Sequence, residues 1–180
     1  DNSATAGYIK SSDATNLMTI ITSNGAEKIQ FNKFVETSVG HLTTPQIITS
    51  DSDRTLTENQ SGKTIVFNVA LTGGGSRVIK LPDAPTAGLN YRIMFGLAPS
   101  ADVTIQSYDD NEKWIGGVIW QDGDNSSGGT HYLEFAVASH YGIRMETTIR
   151  TGSYIDVVFD GTSWFVTGTV IGDNIPTTKT

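Results

Sequence analysis

The chain contains no cysteine among its 180 residues, which excludes disulfide bonds, zinc–thiolate sites and thiol nucleophiles. No apolar run reaches the roughly 18 residues that a membrane-spanning helix needs. Residues 1–7 lack the basic and apolar regions of a signal peptide, so none is expected. The 12 lysines and arginines are scattered, and the net charge is −7. Because an acidic protein repels phosphate backbones, we expect neither a nucleic-acid nor a membrane partner.

Helical periodicity is also missing, whereas strand signals are abundant. The sequence contains 24 Thr and 19 Gly; Thr favours strands and Gly favours turns. β-Branched and aromatic runs recur at intervals of about 8 to 12 residues, the spacing of sandwiches and barrels. This pattern predicts an all-β chain: an antiparallel β-sandwich or jelly-roll-like domain at residues 46–172, a short N-terminal region at 1–45 and a polar tail at 173–180.

The best local signal lies at residues 154–170. Two β-branched and aromatic runs flank Asp160-Gly161, a dipeptide typical of a hairpin because Gly accepts positive φ. Ile155 and its alternate neighbours are predicted to face the core, which places Val158 on the opposite face. Because Val158 is also apolar, we expect that second face to be partly covered, either by a second sheet or by a sister subunit.

The N-terminal region has a different character. Residues 1–15 are small and polar and predict a flexible arm, or an arm that a partner orders. Strands are predicted at 16–22 and 29–31, with a turn at 23–25, and residues 41–45 read as a linker. A region of this size buries too little to form a large core. We therefore expect it to pack on the main domain, on a neighbouring copy or on a larger assembly.

One resemblance bears on function. It is carried by the strand and turn succession at Ile48-Thr49, 54–57, 61–65, 79–91, 103–105 and 157–166. Across residues 46–170 this succession resembles a β-domain of tailed-phage virion proteins, found in tail fibres and in capsid decoration or head-fibre proteins. The resemblance implies a non-enzymatic, usually trimeric structural protein.

From this resemblance we expect a capsid decoration (cement) protein. It would be made in the host cytoplasm and held on the virion capsid surface as a homotrimer. Its N-terminal region would bind the major capsid protein and so stabilise the head. The alternative is a receptor- or glycan-binding module of a tail fibre or spike.

The histidines and clustered carboxylates form no recognisable catalytic or metal motif. His41, His131 and His140 are far apart and form no ligand motif, and no Gly-x-Ser-x-Gly elbow is present. The acidic sets carry oxygen ligands at alternate positions or consecutive carboxylates, without the spacing of a full calcium loop or a glycosidase pair; they are Asp51 with Asp53, Asp122 with Asp124 and Asn125, and Asp109 with Asp110 and Glu112. We predict no catalytic, cofactor or metal residue, and rank a polysaccharide-degrading enzyme third.

Aromatic residues have two interpretations. They either form a sugar-stacking platform beside the loop at 121–129 or pack in the core and at subunit interfaces; the set comprises Trp114, Trp120, Tyr132, Tyr141, Tyr154 and Trp164. The packing interpretation is favoured. The glycine run at 73–75 lacks the Lys-Ser/Thr and helix of a phosphate loop and predicts a turn.

Overall fold

The computed structural model describes residues 7–10, 16–21, 28–31, 45–71, 75–124, 129–135 and 139–180. The chain divides into two compact units, Asp1–Leu42 and Thr43–Thr180. The division falls within the predicted linker at 41–45. Predictions for the turn at 23–25 and for His41 lie outside the described residues.

The first unit contains a three-stranded antiparallel sheet. Its strands lie in the order β1-β2-β3, with bounds β1 Gly7–Lys10, β2 Asn16–Ile21 and β3 Lys28–Phe31. The strands predicted at 16–22 and 29–31 are confirmed. The arm predicted at 1–15 is wrong in part, because Tyr8 and Ile9 favour an extended chain and pair with Thr19 and Met18.

The second unit is built from two sheets. One has seven strands: β4 Gln46–Ile48, β6 Thr64–Phe67, β8 Asn90–Phe95, β10 Lys113–Asp122, β11 Thr130–Phe135, β13 Tyr154–Phe159 and β14 Ser163–Gly172. The other has five strands: β5 Arg54–Thr55, β7 Arg77–Lys80, β9 Val103–Gln106, β12 Gly142–Met145 and β15 Thr177–Lys179. A 3₁₀ turn at Glu58–Gln60 follows β5. The all-β, two-sheet prediction is confirmed, and every strand predicted between residues 46 and 170 is present.

Strand direction differs from the antiparallel expectation. The sheet orders are β11-β10-β14-β13-β8-β6-β4 and β15-β12-β9-β7-β5. From β4 to β9 the chain crosses to the other sheet after every strand, so it returns to each sheet in the same direction. The pairs β4–β6, β6–β8, β5–β7 and β7–β9 are therefore parallel, as is β10–β14. Register along these pairs was not visible from local turn signals.

A single hydrophobic core lies between the sheets. Trp114, Trp120 and Trp164 are fully buried in it, together with alternate residues of both sheets such as Ile79 and Ile93. Such burial of large apolar side chains is the main source of stability in a β-sandwich. The predicted hairpin is confirmed: Val157 pairs with Val166, and Asp160 Oδ1 accepts hydrogen bonds from the backbone N–H groups of Thr162 and Ser163.

The C-terminal segment is not the tail predicted at 173–180. Thr177, Thr178 and Lys179 pair with β12 and form one edge of the five-stranded sheet, and Pro176 before them is buried. Asp173 forms an ion pair of 2.8 Å with Arg150. Threonine is a good strand former, and Pro176 just precedes the strand, where its missing N–H costs no ladder bond.

Candidate functional site

The outer face of the seven-stranded sheet, the side turned away from the core, carries a continuous cross-strand row of mainly apolar residues. We call it the long apolar row; it comprises Ile47, Val66, Met94, Tyr154, Thr169, Ile119 and Tyr132, in the order of their strands. Each alternates along its strand with core residues, which places it outside. Ile47, Ile119 and Tyr132 remain 59%, 46% and 64% exposed. The row crosses all seven strands.

Tyr132 shows how this face is built. Its ring lies against Gly117 on the neighbouring strand, in the space that a Cβ at Gly117 would occupy. An aromatic side chain laid over a strand glycine covers the bare backbone and pins the register of the pair. The edge strand β11 is thereby held in line with the rest of the face.

A second, shorter apolar row lies four residues further along the strands. Val158 pairs with Phe165, and Phe165 pairs with Ile115. Val158 and Phe165 are 47% and 46% exposed. The second sheet of this chain lies on the other side of β13, so it does not cover Val158. Of the two covers expected for the hairpin's second face, a sister subunit is therefore the one still to be tested.

A polar row separates the two apolar rows. Arg92 donates from Nε and Nη2 to the two carboxylate oxygens of Asp156, at 2.7 and 2.6 Å, and its guanidinium lies 5.0 Å from the ring centre of Tyr154. The hydrogen bond to Asp156 raises the pKa of Arg92. Arg92 and Asp156, with Thr64, Val158 and others, line an open depression of about 540 Å³. The ion pair leaves this part of the face without net charge.

The outer face of the five-stranded sheet is polar instead. One cross-strand row holds Thr55, Lys80, Gln106, Gly142 and Lys179, and the next holds Val78, Thr104, Arg144 and Thr177. Arg144 forms an ion pair of 2.5 Å with Asp102. The Thr, Lys and Gln side chains that dominate this face are readily solvated by water. An extended apolar face is unusual for a monomer and marks a contact surface.

The acidic residues at alternate positions, whose spacing falls short of a full calcium loop, make contacts within the fold. Asp51 forms an ion pair of 2.5 Å with Arg77, and Asp53 accepts the backbone N–H of Val78 at 2.9 Å. Asp122 Oδ1 accepts the backbone N–H of Asp124 at 3.1 Å, and Asn125 lies outside the described residues. Within the ranges that the structure describes, no three His, Asp or Glu side chains are grouped so that they could hold a metal ion.

Asp109 and Glu112 belong to a single turn and do not face each other across a cleft as a catalytic pair would. Asp109 accepts the backbone N–H of Asn111 at 2.9 Å, which lowers the pKa of Asp109. Burial, and then the charge of Asp109, raises the pKa of Glu112. The two carboxyl groups lie three residues apart on one turn. Because glycosidase carboxyls stand about 5 to 9 Å apart across a cleft, this arrangement lacks the geometry for that chemistry.

The described histidines rest against different core aromatics. The ring centre of His131 lies 5.2 Å from that of Trp120, and the ring centre of His140 lies 6.2 Å from that of Phe135. The structure therefore uses both rings in packing.

The sugar-stacking platform is not formed. Trp114, Trp120 and Trp164 are 0% exposed, so the packing interpretation is correct for all three. Trp114 Nε1 donates to Ser107 Oγ at 3.1 Å inside the core. Tyr132 and Tyr154 instead belong to the long apolar row, and Tyr141 is half-buried beside Lys113. The row was missed because it joins residues from strands far apart in sequence.

Comparison with known proteins adds no assignment. No family model, no curated protein and no solved structure matches the chain. In the described part of the chain, no helix has the length and apolar character required to cross a bilayer.

Proposed function

We propose that this chain is a non-enzymatic structural protein of a tailed-phage virion, acting as a capsid decoration protein. The observation that supports it is the unequal character of the two outer sheet faces, one apolar and one polar. A protein displayed in many copies on a particle needs one surface for contact with protein and another for contact with water. The two faces of this sandwich meet those needs.

In this proposal three copies form a trimer, and the N-terminal region at residues 1–45 attaches each copy to the major capsid protein. Three attachments on one rigid assembly multiply modest individual affinities, and a closed symmetry keeps the assembly finite. The β-sandwich then stands on the capsid surface. The acidic net charge of −7 also disfavours contact with packaged nucleic acid.

Particle binding tests the proposal directly. Decoration-free heads of the encoding phage are mixed with the full chain or with a chain lacking residues 1–45, and bound protein is measured after sedimentation. The full chain is expected to co-sediment at a fixed ratio to the capsid protein, and the shortened chain to stay in solution. Absence of the full chain from both heads and purified virions would contradict the proposal.

A second candidate, the glycan-binding module of a tail fibre, is supported by a different surface. An open depression of about 430 Å³ on the five-stranded sheet is lined by Lys80, Gln106 and Tyr108 among others, and Lys80 Nζ lies 4.8 Å above the Tyr108 ring. Exposed aromatic and amide groups of this kind suit a sugar. A glycan array separates the candidates: binding that Tyr108→Ala abolishes would favour the module over decoration.

A further inference from the structure

We propose that the outer face of the seven-stranded sheet is buried between copies of this chain. This inference rests on the proposed trimer and names the surface that forms it. The face consists of the long apolar row, the short row of Ile115, Phe165 and Val158, and the Arg92–Asp156 pair between them. The partners that it fits are the same faces of the two other copies, which meet around the threefold axis of the trimer, rather than the capsid.

The size of the face matches a stable subunit contact. Seven strands at about 4.8 Å spacing span about 29 Å, and six residues at about 3.3 Å span about 20 Å, so the face covers roughly 600 Å² in projection. Its accessible area is larger because side chains project from it. A standard interface uses about 800 Å² per partner. The described face is therefore large enough without help from other parts of the chain.

The chemistry of the face is self-complementary. Each copy presents apolar rows on both sides of a polar row, in which the charges of Arg92 and Asp156 cancel and Glu134 lies on the edge strand β11. When three such faces meet around the threefold axis, apolar rows lie against apolar surface, and each guanidinium lies near the carboxylates of neighbouring copies. The whole chain carries −7, so two randomly chosen surfaces would repel. A largely apolar face with few charges is where copies of the chain approach at a low electrostatic cost.

Charged substitutions on the short apolar row test the inference. Val158→Lys with Phe165→Lys places four-carbon ammonium side chains where apolar contact is expected, while Thr55→Lys with Thr177→Lys adds the same charge to the polar face. Molar mass in solution is measured by light scattering. The native chain and the polar-face control are expected at three times the chain mass of 19.3 kDa. The apolar-face variant is expected at 19.3 kDa with an unchanged circular dichroism spectrum.

A native chain that is monomeric, or an apolar-face variant that keeps the native mass, would overturn the inference. Should the lysine variant lose its β-sheet spectrum, Phe165→Ser alone replaces it in the same comparison; an unchanged mass for that variant would be equally contradictory.

A charge exchange distinguishes a second copy from a different protein. Arg92→Asp alone places two carboxylates at the centre of every face and is expected to lower the molar mass. Adding Asp156→Arg restores an opposite pair on every copy, so self-association is expected to recover. A foreign partner would keep its own charges, and the exchange would not restore its binding; a mass that stays low in the double variant therefore counts against self-association.

The two proposals fail separately. If the native chain is an oligomer that does not bind phage heads, the proposed decoration function is wrong and the proposed interface is retained. If the native chain binds heads while the lysine variant keeps its mass, the interface is wrong and the function stands.

Discussion

The strands of both sheets alternate core residues with outward residues, but the outward residues differ in character between the two outer faces of the sandwich. On the seven-stranded sheet, Ile119 and Tyr132 stand side by side in the open. On the five-stranded sheet, Thr55, Lys80 and Gln106 stand side by side in one outward row. Both sheets send their alternate residues into one core. The difference teaches that the core alone does not account for this sequence, because folding one copy leaves a large apolar area exposed.

Charge pairs occur on both faces and have different surroundings. Arg92–Asp156 lies between apolar rows and beneath Tyr154, whereas Arg144–Asp102 lies among threonines. In water, such pairs contribute little. Within a contact between subunits, the first pair would be withdrawn from water and its arrangement would matter much more.

The largest effect is expected at Trp164, beside Phe165 on β14. Trp164 is fully buried and Phe165 is 46% exposed, so the two neighbours separate the core from the outer face. Trp164→Ala is expected to lower the free energy of unfolding by about 3–5 kcal/mol, from lost burial and the cavity left behind. Phe165→Ala is expected to change that quantity by about 0.5 kcal/mol or less in the monomer.

Chemical denaturation at low protein concentration, where association is suppressed, measures both values. Similar losses for the two variants would show that Phe165 contributes to the fold of a single copy, and the distinction between inner and outer face would fail at this strand.

Gly116 joins the apolar edge β10–β11 to the rest of the sheet. Its φ is +111°, and an added Cβ would overlap the carbonyl oxygen of Val166 on the parallel strand β14. Gly116→Ala is expected to cost about 1–2 kcal/mol from the left-handed backbone and a further 1–3 kcal/mol or so from overlap. Gly152→Ala is the matched control, since Gly152 has φ +92° and open space around it.

Thermal unfolding of the two glycine variants gives the comparison. Gly116→Ala should have the lower midpoint and should also weaken self-association, because it displaces Ile119 and Tyr132. Equal unfolding midpoints for the two variants would mean that the parallel pair β10–β14 accommodates the added methyl group without a loss of stability.

Ionisation of Tyr91, on the inner face of the seven-stranded sheet, is expected to lower the free energy of unfolding at alkaline pH. Its hydroxyl donates to the Thr57 carbonyl oxygen at 3.0 Å; burial, and then the charge of Glu58, raises the pKa of Tyr91 from 10.0 to about 12. The folded state therefore holds this proton more tightly than the unfolded state. Stability from this group is complete below pH 10 and is lost as pH rises towards 12, by up to about 2–3 kcal/mol.

Denaturation curves across that interval measure the loss. Tyr91→Phe should flatten the dependence on pH. A native pH dependence that survives in Tyr91→Phe would assign the effect to another group.

The smallest effects are expected from the ion pairs in the monomer. Arg144→Ala and Arg92→Ala should each lower the free energy of unfolding only slightly, and salt should reduce both losses. The faces should differ only in association: Arg92→Ala is expected to lower the oligomer fraction, and Arg144→Ala to leave it unchanged. Sedimentation velocity over a dilution series measures the oligomer fraction of each variant. Equal fractions for the two variants would contradict a different role of the two faces in association.

Local signals in the sequence predicted the strands well. The hairpin around Asp160 and Gly161 was predictable because its turn and its alternation lie within about twenty consecutive residues. Parallel pairing was not, because Gln46 pairs with Ile65, and Ile65 with Ile93, and no turn residue specifies such a register. The strand at Thr177–Lys179 was missed because its polar residues matched a tail, although they pair with β12.

The candidate surface was visible only at one point. Val158, apolar on the wrong side of its strand, indicated that the hairpin's second face needs a cover. The long apolar row could not be found from sequence, because its members come from seven strands and each looks like an isolated exposed residue. The packing interpretation, in the core or at a subunit interface, was favoured because large aromatic side chains bury much apolar area, and Trp114 and Trp120 are fully buried in the core.

Cysteine reactivity offers the most direct test of the central claim, that the apolar face is buried between copies. The chain has no native cysteine, so a single Thr167→Cys thiol reports on this face and a Thr55→Cys thiol on the polar one; both threonines are exposed in one copy. The rate of maleimide labelling is measured at high and low protein concentration. The Thr167→Cys thiol is expected to be protected at high concentration and to react freely after dilution, while the Thr55→Cys thiol reacts at one rate throughout. Equal, concentration-independent rates at both positions would contradict the claim.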